Sequence, residues 1–246
     1  MYFRKEMKAA YYDSDQNNQL KISAIMRYMQ QTSSEQLAAL GQSVEWMWAE
    51  GMAFILAKSN IVIYRNPVCS EVIRVGTAAT RPIGPRFIRE FVMENEAGER
   101  LVSCYSLWVL VDMKNRKILR PNVYPHEIDW QEPNLLEEVG DIEIPKKVDG
   151  REGFASFQRD IWYSHIDNNG HVNNSVYADF IADALPYEEL TTHGISRLAL
   201  SFQKEAMHGE RLAIERHRIS SNEYKVTGRK ADGISFEGYV ELGQKV

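Results

Sequence analysis

The sequence has little cysteine, no long apolar run and no excess of positive charge. Its two cysteines, Cys69 and Cys104, have neither CxxC spacing nor a nearby Cys/His cluster, so we predict buried thiols and neither a zinc site nor a disulfide framework. No apolar run approaches the roughly 18 residues that span a bilayer, and the N-terminus carries charges where a signal peptide would be apolar. We therefore expect a cytoplasmic protein without a membrane span.

Positive charge is limited, because 29 Lys and Arg residues face 34 Asp and Glu residues, for a net charge of -5. A protein that wraps nucleic acid is normally basic, so no nucleic-acid partner is expected. The GxGxxG and GxxxxGK[ST] patterns are both missing, which disfavours a nucleotide-binding fold. A chain of 246 residues can form one large domain or two of about 120 residues.

The sequence does contain a weak internal repeat, in which residues of the first half match residues 152 positions later. The identities are Tyr11 with Tyr163, Asp15 with Asp167, Asn17 with Asn169 and Ser23 with Ser175. Apolar positions continue the match at Leu20 with Val172, Tyr28 with Phe180 and Met29 with Ile181. Because unrelated segments seldom share one offset at so many positions, we predict a duplication.

Each half continues with the same order of elements. A helical pattern ends before Gly41 in the first half and before Pro186 in the second. Strand-like stretches follow at Phe54 to Tyr64, Val72 to Ala79, Arg86 to Glu94, Leu101 to Asp112, Ser196 to Gln203, Arg211 to Ile219, Glu223 to Lys230 and Ile234 to Leu242. This order predicts an α+β fold with an antiparallel sheet around each helix. We expect domains at residues 1–131 and 151–246, joined by a linker at 132–150.

An unusual density of polar residues precedes the second helix. Asp167, Asn169 and His171 alternate, so an extended chain would direct all three to the same side. Gly170 permits a sharp turn between them. Because a helix cap requires one such residue and not three, this cluster is a candidate for a reactive site.

The start of the second helix and the matching part of the first half add to this interpretation. Asn173 or Asn174 could cap the helix, whose N-terminal N–H groups and partial positive charge suit an oxyanion. The first half has Asp15 and Asn17, but Gln19 replaces the histidine. One catalytic copy and one degenerate copy are therefore expected.

The run Asp167-x-Asn169-x-His171-Val172-Asn173-Asn174 resembles the motif of the acyl-acyl-carrier-protein thioesterases of plants and bacteria, which carry two hotdog domains in one chain. The length, the duplication and the linker match this family too. The resemblance implies two tandem hotdog domains. The degenerate first domain could line an acyl-chain pocket with residues such as Trp46 and Phe54, although plain core is the more usual place for each such residue. Tyr163 and Tyr177 also look like positions of the acyl-CoA thioesterases of the same fold.

The resemblance also assigns catalytic roles. Glu205 matches a family glutamate on the strand after the helix and would activate a water, from a partly desolvated position in an acyl tunnel. His171 would orient the water or the thioester, Asn169 would donate to the carbonyl, and Asp167 would hold its neighbours or polarise the thioester. Ala206 stands where the plant enzymes usually have a cysteine, so a nucleophilic cysteine is in doubt here.

A second offset extends the comparison of the two halves. Cys69-Ser70-Glu71 matches His208-Gly209-Glu210, 139 residues later, and places Asn66 opposite Glu205. The first copy would then lack both the histidine and the glutamate.

The implied function is hydrolysis of fatty acyl-acyl carrier protein to free fatty acid and holo carrier protein in fatty acid biosynthesis, with no metal or other cofactor. The implied partner is acyl carrier protein, and the oligomeric state is open, with a homodimer as one option. The nearest alternative is an acyl-CoA thioesterase with Asp167 as base or nucleophile. A hotdog dehydratase would instead form an enoyl thioester, and an acyl-binding protein would bind the carrier without turnover.

Overall fold

The computed structural model describes residues 3–126, 139–148 and 154–243. It divides into two compact units. Unit 1 comprises the chain up to Asp141 except Asn60–Ile63. Unit 2 comprises the chain from Ile142 onward together with Asn60–Ile63, which are the last four residues of a strand that otherwise belongs to unit 1. Residue 131, residues 132–138 and 149–150 of the predicted linker, and residues 151–153 lie outside the described ranges, so the predicted domain limits stay a prediction.

Unit 1 is an antiparallel sheet packed against a helix. Its elements are β1 (Phe3–Lys8), α1 (Ile22–Ala39), α2 (Val44–Ala49), β2 (Met52–Ile63), β3 (Val72–Ile83), β4 (Arg86–Asn95), β5 (Arg100–Asp112) and β6 (Lys117–Leu119). The strand order is β1-β3-β4-β5-β2, and β6 pairs with β5. The antiparallel register places Phe3 opposite Thr77 and Phe91 opposite Cys104.

The helix α1 buries one face against β1 and β3. Ile22, Ile25, Met26 and Met29 recur on that face at helical spacing and are all buried. The helix ends as predicted, because Gly41 follows it with a φ of 74° that a residue with a side chain rarely adopts.

The segment after α1 contributes apolar side chains to the core of unit 1. Ser43 caps α2 by accepting a hydrogen bond from Trp46 N–H at 3.3 Å. The core cluster is formed by Met47, Met52, Phe87, Leu110 and Tyr124, with Trp46, Phe54, Trp108 and Leu119 packed against it. Trp46 and Phe54, predicted as pocket candidates, thus pack on the core.

Unit 2 repeats the arrangement. Its elements are β7 (Ala155–Asp160), α3 (Asn174–Ala184), α4 (Tyr187–His193), β8 (Ile195–Phe202), β9 (Arg211–Arg218), β10 (Glu223–Lys230) and β11 (Gly233–Leu242). The strands form an antiparallel sheet in the order β8-β11-β10-β9-β7.

The helix α3 lies close to this sheet. The ring of Tyr177 contacts those of Phe202 and Phe236 edge-on, with centroids 5.5 and 5.1 Å apart. Ile181 lies over Gly238, where an added Cβ would be only 2.5 Å from its Cδ1. Glycine therefore sets how closely the helix approaches β11.

All eight predicted strands are present, with ends that differ by a few residues at most. The strands β1, β6 and β7 were not predicted. Because of β1 and β7, each unit begins with a strand and not with the helix. The reason is visible in β1, where exposed and half-buried side chains alternate and the segment contains three charged residues before its last position. Strands this polar carry little hydrophobic signal.

Candidate active site

The cluster before α3 is a tight loop. A 3-10 helix at Tyr163–His165 leads into it, and an isolated antiparallel bridge joins Ile166 to Val172. Asp167 N–H donates to His171 O at 3.0 Å, and Gly170 N–H donates to Asp167 O at 3.0 Å. Asp167 and His171 are therefore brought together by a turn, and not by the alternation of an extended chain.

The turn at Gly170 was correctly predicted. Its φ of 83° lies in the left-handed region, where glycine avoids the steric cost of a side chain. The chain can thereby reverse within the three residues that separate Asp167 from His171.

His171 lies between two carboxylates. Its Nδ1 is 3.8 Å from Asp167 Oδ1, and its Nε2 is 3.6 Å from Glu205 Oε1. The Asp167 side chain is 14% exposed, whereas those of His171 and Glu205 are 27% and 40% exposed. Three of the four predicted site residues therefore meet, in a position that water and substrate can reach.

Asn169, the fourth predicted residue, interacts with Asp167. Its backbone N–H donates to Asp167 Oδ1 at 2.8 Å, and its side-chain Nδ2 donates to Oδ2 at 3.5 Å. The side chain is exposed at the tip of the turn. Asn169 thus orients the Asp167 carboxylate that faces His171.

Asn173 caps α3, one of the two alternatives left open by the sequence. Its Oδ1 accepts hydrogen bonds from Ser175 N–H at 2.9 Å and Ser175 Oγ at 2.7 Å. Because α3 begins three residues after His171, the positive end of its dipole lies next to the cluster in the chain.

Glu205 lies in the loop between β8 and β9, and the expectation that it sits on a strand is wrong. Strand β8 ends at Phe202 because the backbone leaves the ladder there to cross to β9. Ala206 is buried and anchors this loop, since its carbonyl accepts from Val172 N–H at 2.9 Å and its N–H donates to Tyr177 Oη at 3.2 Å. The Glu205 side chain is 40% exposed in this loop, and its place in an acyl tunnel stays a prediction.

The turn of unit 1 has the same hydrogen bonds without the reactive side chains. Gln19 occupies the position of His171, and Asn66 that of Glu205. Three hydrogen bonds of unit 1 recur in unit 2 at the offset of 152. In unit 1 they are Asp15 N–H to Gln19 O at 2.8 Å, Asn17 N–H to Asp15 Oδ1 at 2.8 Å and Lys21 N–H to Asp13 O at 3.0 Å. The corresponding donors in unit 2 are the N–H groups of Asp167, Asn169 and Asn173.

The second loop repeats as well, at the predicted offset of 139. The equivalent pairs are Ser70 N–H to Ala9 O at 2.8 Å and Gly209 N–H to Ile161 O at 3.0 Å, then Val68 N–H to Glu71 Oε2 at 2.9 Å and Met207 N–H to Glu210 Oε2 at 2.8 Å. Both offsets found in the sequence thus describe one backbone frame that occurs twice.

The two cysteines both belong to unit 1. Cys104 is buried beside Ser59, with 3.4 Å between Sγ and Oγ, and burial raises the pKa of its thiol to about 12. Cys69 is partly exposed, so the expectation of two buried thiols is wrong for it. Its position in the short turn between β2 and β3 keeps it near the surface.

The described ranges contain neither a membrane-spanning helix nor a cluster of metal-binding side chains. None of their helices combines the length and apolar composition needed to cross a bilayer. No group of three or more His, Cys, Asp and Glu side chains in these ranges is arranged to hold a metal ion.

An antiparallel sheet packed against a helix, present once in each unit, defines an α+β protein with two tandem hotdog domains. The chain belongs to the acyl-ACP thioesterase family. The family model for the acyl-ACP thioesterase N-terminal domain matches residues 1–124, and that for the C-terminal domain matches residues 153–239.

Similar proteins come from plants and bacteria. A chloroplastic acyl-[acyl-carrier-protein] hydrolase of Cuphea viscosissima is 24% identical over 220 residues, and a chloroplastic palmitoyl-acyl carrier protein thioesterase of Cuphea hookeriana is 22% identical over 218. Both alignments cover 83% of this chain and 52% of the relative. The chain thus spans about half the length of these curated relatives.

Two solved structures show the same fold over nearly the whole chain. The 12:0-ACP thioesterase of Umbellularia californica has a TM-score of 0.88 at 18% identity and covers 99% of this chain and 98% of its own. An acyl-ACP thioesterase of Bacteroides thetaiotaomicron has a TM-score of 0.84 at 21% identity, with coverage of 98% and 97%.

Proposed function

We propose that this protein is a thioesterase that hydrolyses fatty acyl-acyl carrier protein to free fatty acid and holo carrier protein, in fatty acid biosynthesis. The observation that supports this most is the placement of His171 between Asp167 and Glu205, within 3.8 and 3.6 Å. Thioester hydrolysis requires an activated water and a place for negative charge, which such a cluster beside a helix N-terminus can supply. Family membership supports the substrate class.

In this mechanism Glu205 removes a proton from a water molecule, whose oxygen attacks the thioester carbonyl carbon. His171 holds Glu205 in place, because a charged imidazole can donate to both neighbouring carboxylates and a neutral one to either. The distances of 3.6 and 3.8 Å are longer than hydrogen bonds, and catalytic contacts of this kind tighten when substrate binds.

The developing oxyanion is stabilised by the positive end of the α3 dipole, with Asn169 as a hydrogen-bond donor. Asn169 Nδ2 is held to Asp167 by a contact of 3.5 Å, which is weak enough to be exchanged for the carbonyl oxygen. The tetrahedral intermediate then expels the thiolate, which takes up the proton held by Glu205. Since a thiol has a pKa of about 8.5, it leaves with little further help.

The proposal assigns different roles to the two domains. The domain at 151–246 carries the catalytic residues, whereas the domain at 1–131 serves the acyl chain. Gln19 and Asn66 support this assignment, because neither amide can act as a base.

We expect Glu205→Gln to lower turnover of acyl-acyl carrier protein by about 10²–10⁴-fold, since a general base contributes that much. His171→Ala should be similarly severe. The measurement is release of free thiol from acyl carrier substrates of graded chain length, with folding checked by circular dichroism.

Gln19→Ala and Asn66→Ala are the matched controls, because they change the equivalent positions of unit 1. Both should leave turnover within about twofold, as expected for substitutions outside the reacting groups. Equal losses in both units would contradict the single-site mechanism. Faster hydrolysis of matched acyl-CoA, or an enoyl product without free thiol, would replace the proposal by one of its alternatives.

A further inference from the structure

Lys230 bridges the two ends of the loop that carries Glu205. It is the last residue of β10, and its Nζ donates to the backbone carbonyl of Glu205 at 3.0 Å and to Glu210 Oε2 at 2.9 Å. The same nitrogen is 2.7 Å from Glu210 Oε1, and the Lys230 side chain is only 13% exposed. A single ammonium group thus holds the loop at residues 205 and 210.

Glu210 is a suitable counterion for this contact. Burial by itself would raise the pKa of Glu210, but the hydrogen bonds from Lys230 and from Met207 N–H outweigh it and lower that pKa below its ordinary value of 4.5. Glu210 is therefore a carboxylate at neutral pH, and it ties Lys230 to the backbone at Met207.

Unit 1 contains the same bridge, built from a different part of the sequence. Arg65 donates to the Asn66 carbonyl at 3.4 Å and to the two oxygens of Glu71 at 3.1 and 2.6 Å. Asn66 and Glu71 are the equivalents of Glu205 and Glu210. Arg65 precedes Asn66 directly, whereas Lys230 comes from a separate strand, so the shared feature is the bridge itself.

We propose that Lys230, with Glu210 as its counterion, is a positioning residue that fixes the main chain of Glu205 and so keeps its carboxylate beside His171. This inference rests on the proposed function, in which Glu205 activates the water. The Glu205 side chain is 40% exposed, so its location depends on the backbone that carries it. Lys230 contacts that backbone at the Glu205 carbonyl oxygen, and it acts on turnover through Glu205.

The test compares Lys230→Met with Lys230→Arg in steady-state hydrolysis of an acyl-acyl carrier protein. Lys230→Met should lower kcat about 10-fold to 100-fold with KM unchanged, because small displacements of a catalytic group cost this much. Lys230→Arg keeps a donor and a charge, and should recover most of the loss. Glu210→Gln combined with Lys230→Met should cost less than the sum of both, since they break one contact.

Arg65→Met is the matched control, because it breaks the equivalent bridge in unit 1. It should lower the melting temperature with no change in kcat. Lys230→Met that folds and keeps wild-type kcat, or that raises KM alone, would overturn the positioning role while leaving the proposed function intact. If Lys230→Met does not fold, Glu210→Gln decides, and wild-type kcat in that variant rejects the inference. A wild-type protein without thioesterase activity rejects the proposed function and this role together.

Discussion

At the scale of single residues, the chemical difference between the two units comes from two positions. His171 and Glu205 meet in unit 2, while Gln19 and Asn66 take the same places in unit 1. Amides can donate and accept hydrogen bonds, but they do not take up a proton near neutral pH. The surrounding turns are alike, so in the proposed mechanism reactivity depends on these side chains.

The cysteines allow a residue-scale test of the water-based mechanism. Because burial raises the pKa of Cys104 to about 12 and both cysteines lie outside unit 2, Cys69→Ser and Cys104→Ser should retain turnover per folded molecule. Cys104→Ser should lower stability by about 1–3 kcal/mol, since it buries a hydroxyl. Activity is compared after normalising to the folded fraction. A covalent acyl-cysteine formed at the rate of turnover would overturn the role of Glu205.

At the scale of elements, the site depends on how α3 begins. Asn173→Ala should lower the free energy of unfolding by about 1 kcal/mol, because it removes the acceptor for Ser175 N–H at the helix start. Urea denaturation measures the change. Lys21→Ala is the control, because Lys21 stands at the matching start of α1 and makes no side-chain cap bond. An equal loss for both variants would mean that capping is not the cause.

Much of the element order was accessible from the sequence, for physical reasons. The apolar stripe of α1 and the glycine after it marked that helix, and strand-like stretches separated by turn signals marked eight strands. The polar strands β1 and β7 gave no such signal, because their register is set by pairing with neighbours.

The site was predicted in its composition but not in its geometry. The polar cluster before the second helix marked His171, and the resemblance marked Glu205, yet it is the turn at Gly170 and not the alternation that brings Asp167 to His171. Lys230 was missed, since it lies on another strand with no motif of its own. The pairing of Glu71 with Glu210 was the signal that could have directed attention to it.

At the scale of the whole molecule, ion pairs in both units link stability to pH. A hydrogen bond from Arg65 lowers the pKa of Glu71, and one from Arg218 lowers the pKa of Glu189, both from an ordinary value of 4.5. As the pH falls below 4.5, the unfolded chain takes up protons before these folded carboxylates do. The stabilisation present above that pH is therefore lost on acidification.

We accordingly expect the melting temperature to be nearly constant from pH 7 to about pH 5 and to fall below pH 4.5. Glu71→Gln and Glu189→Gln should each lower the plateau and flatten the decline, as measured by thermal melts across the pH range. Glu50→Gln, at an exposed position, is the control. A decline that begins above pH 6 would show that other groups govern acid stability.

The backbone frame shared by the two units has a consequence for how such a protein can diverge after duplication. Its hydrogen bonds join mainly main-chain atoms, and the left-handed positions are filled by Asn18 and Ser70 in one unit and by Gly170 and Gly209 in the other. Because folding of the loops and reactivity use different atoms, mutation can erase the chemistry of one copy while selection for folding preserves its scaffold. In the proposed mechanism, unit 1 keeps this scaffold without the chemistry, because Gln19 and Asn66 stand in the places that His171 and Glu205 take in unit 2.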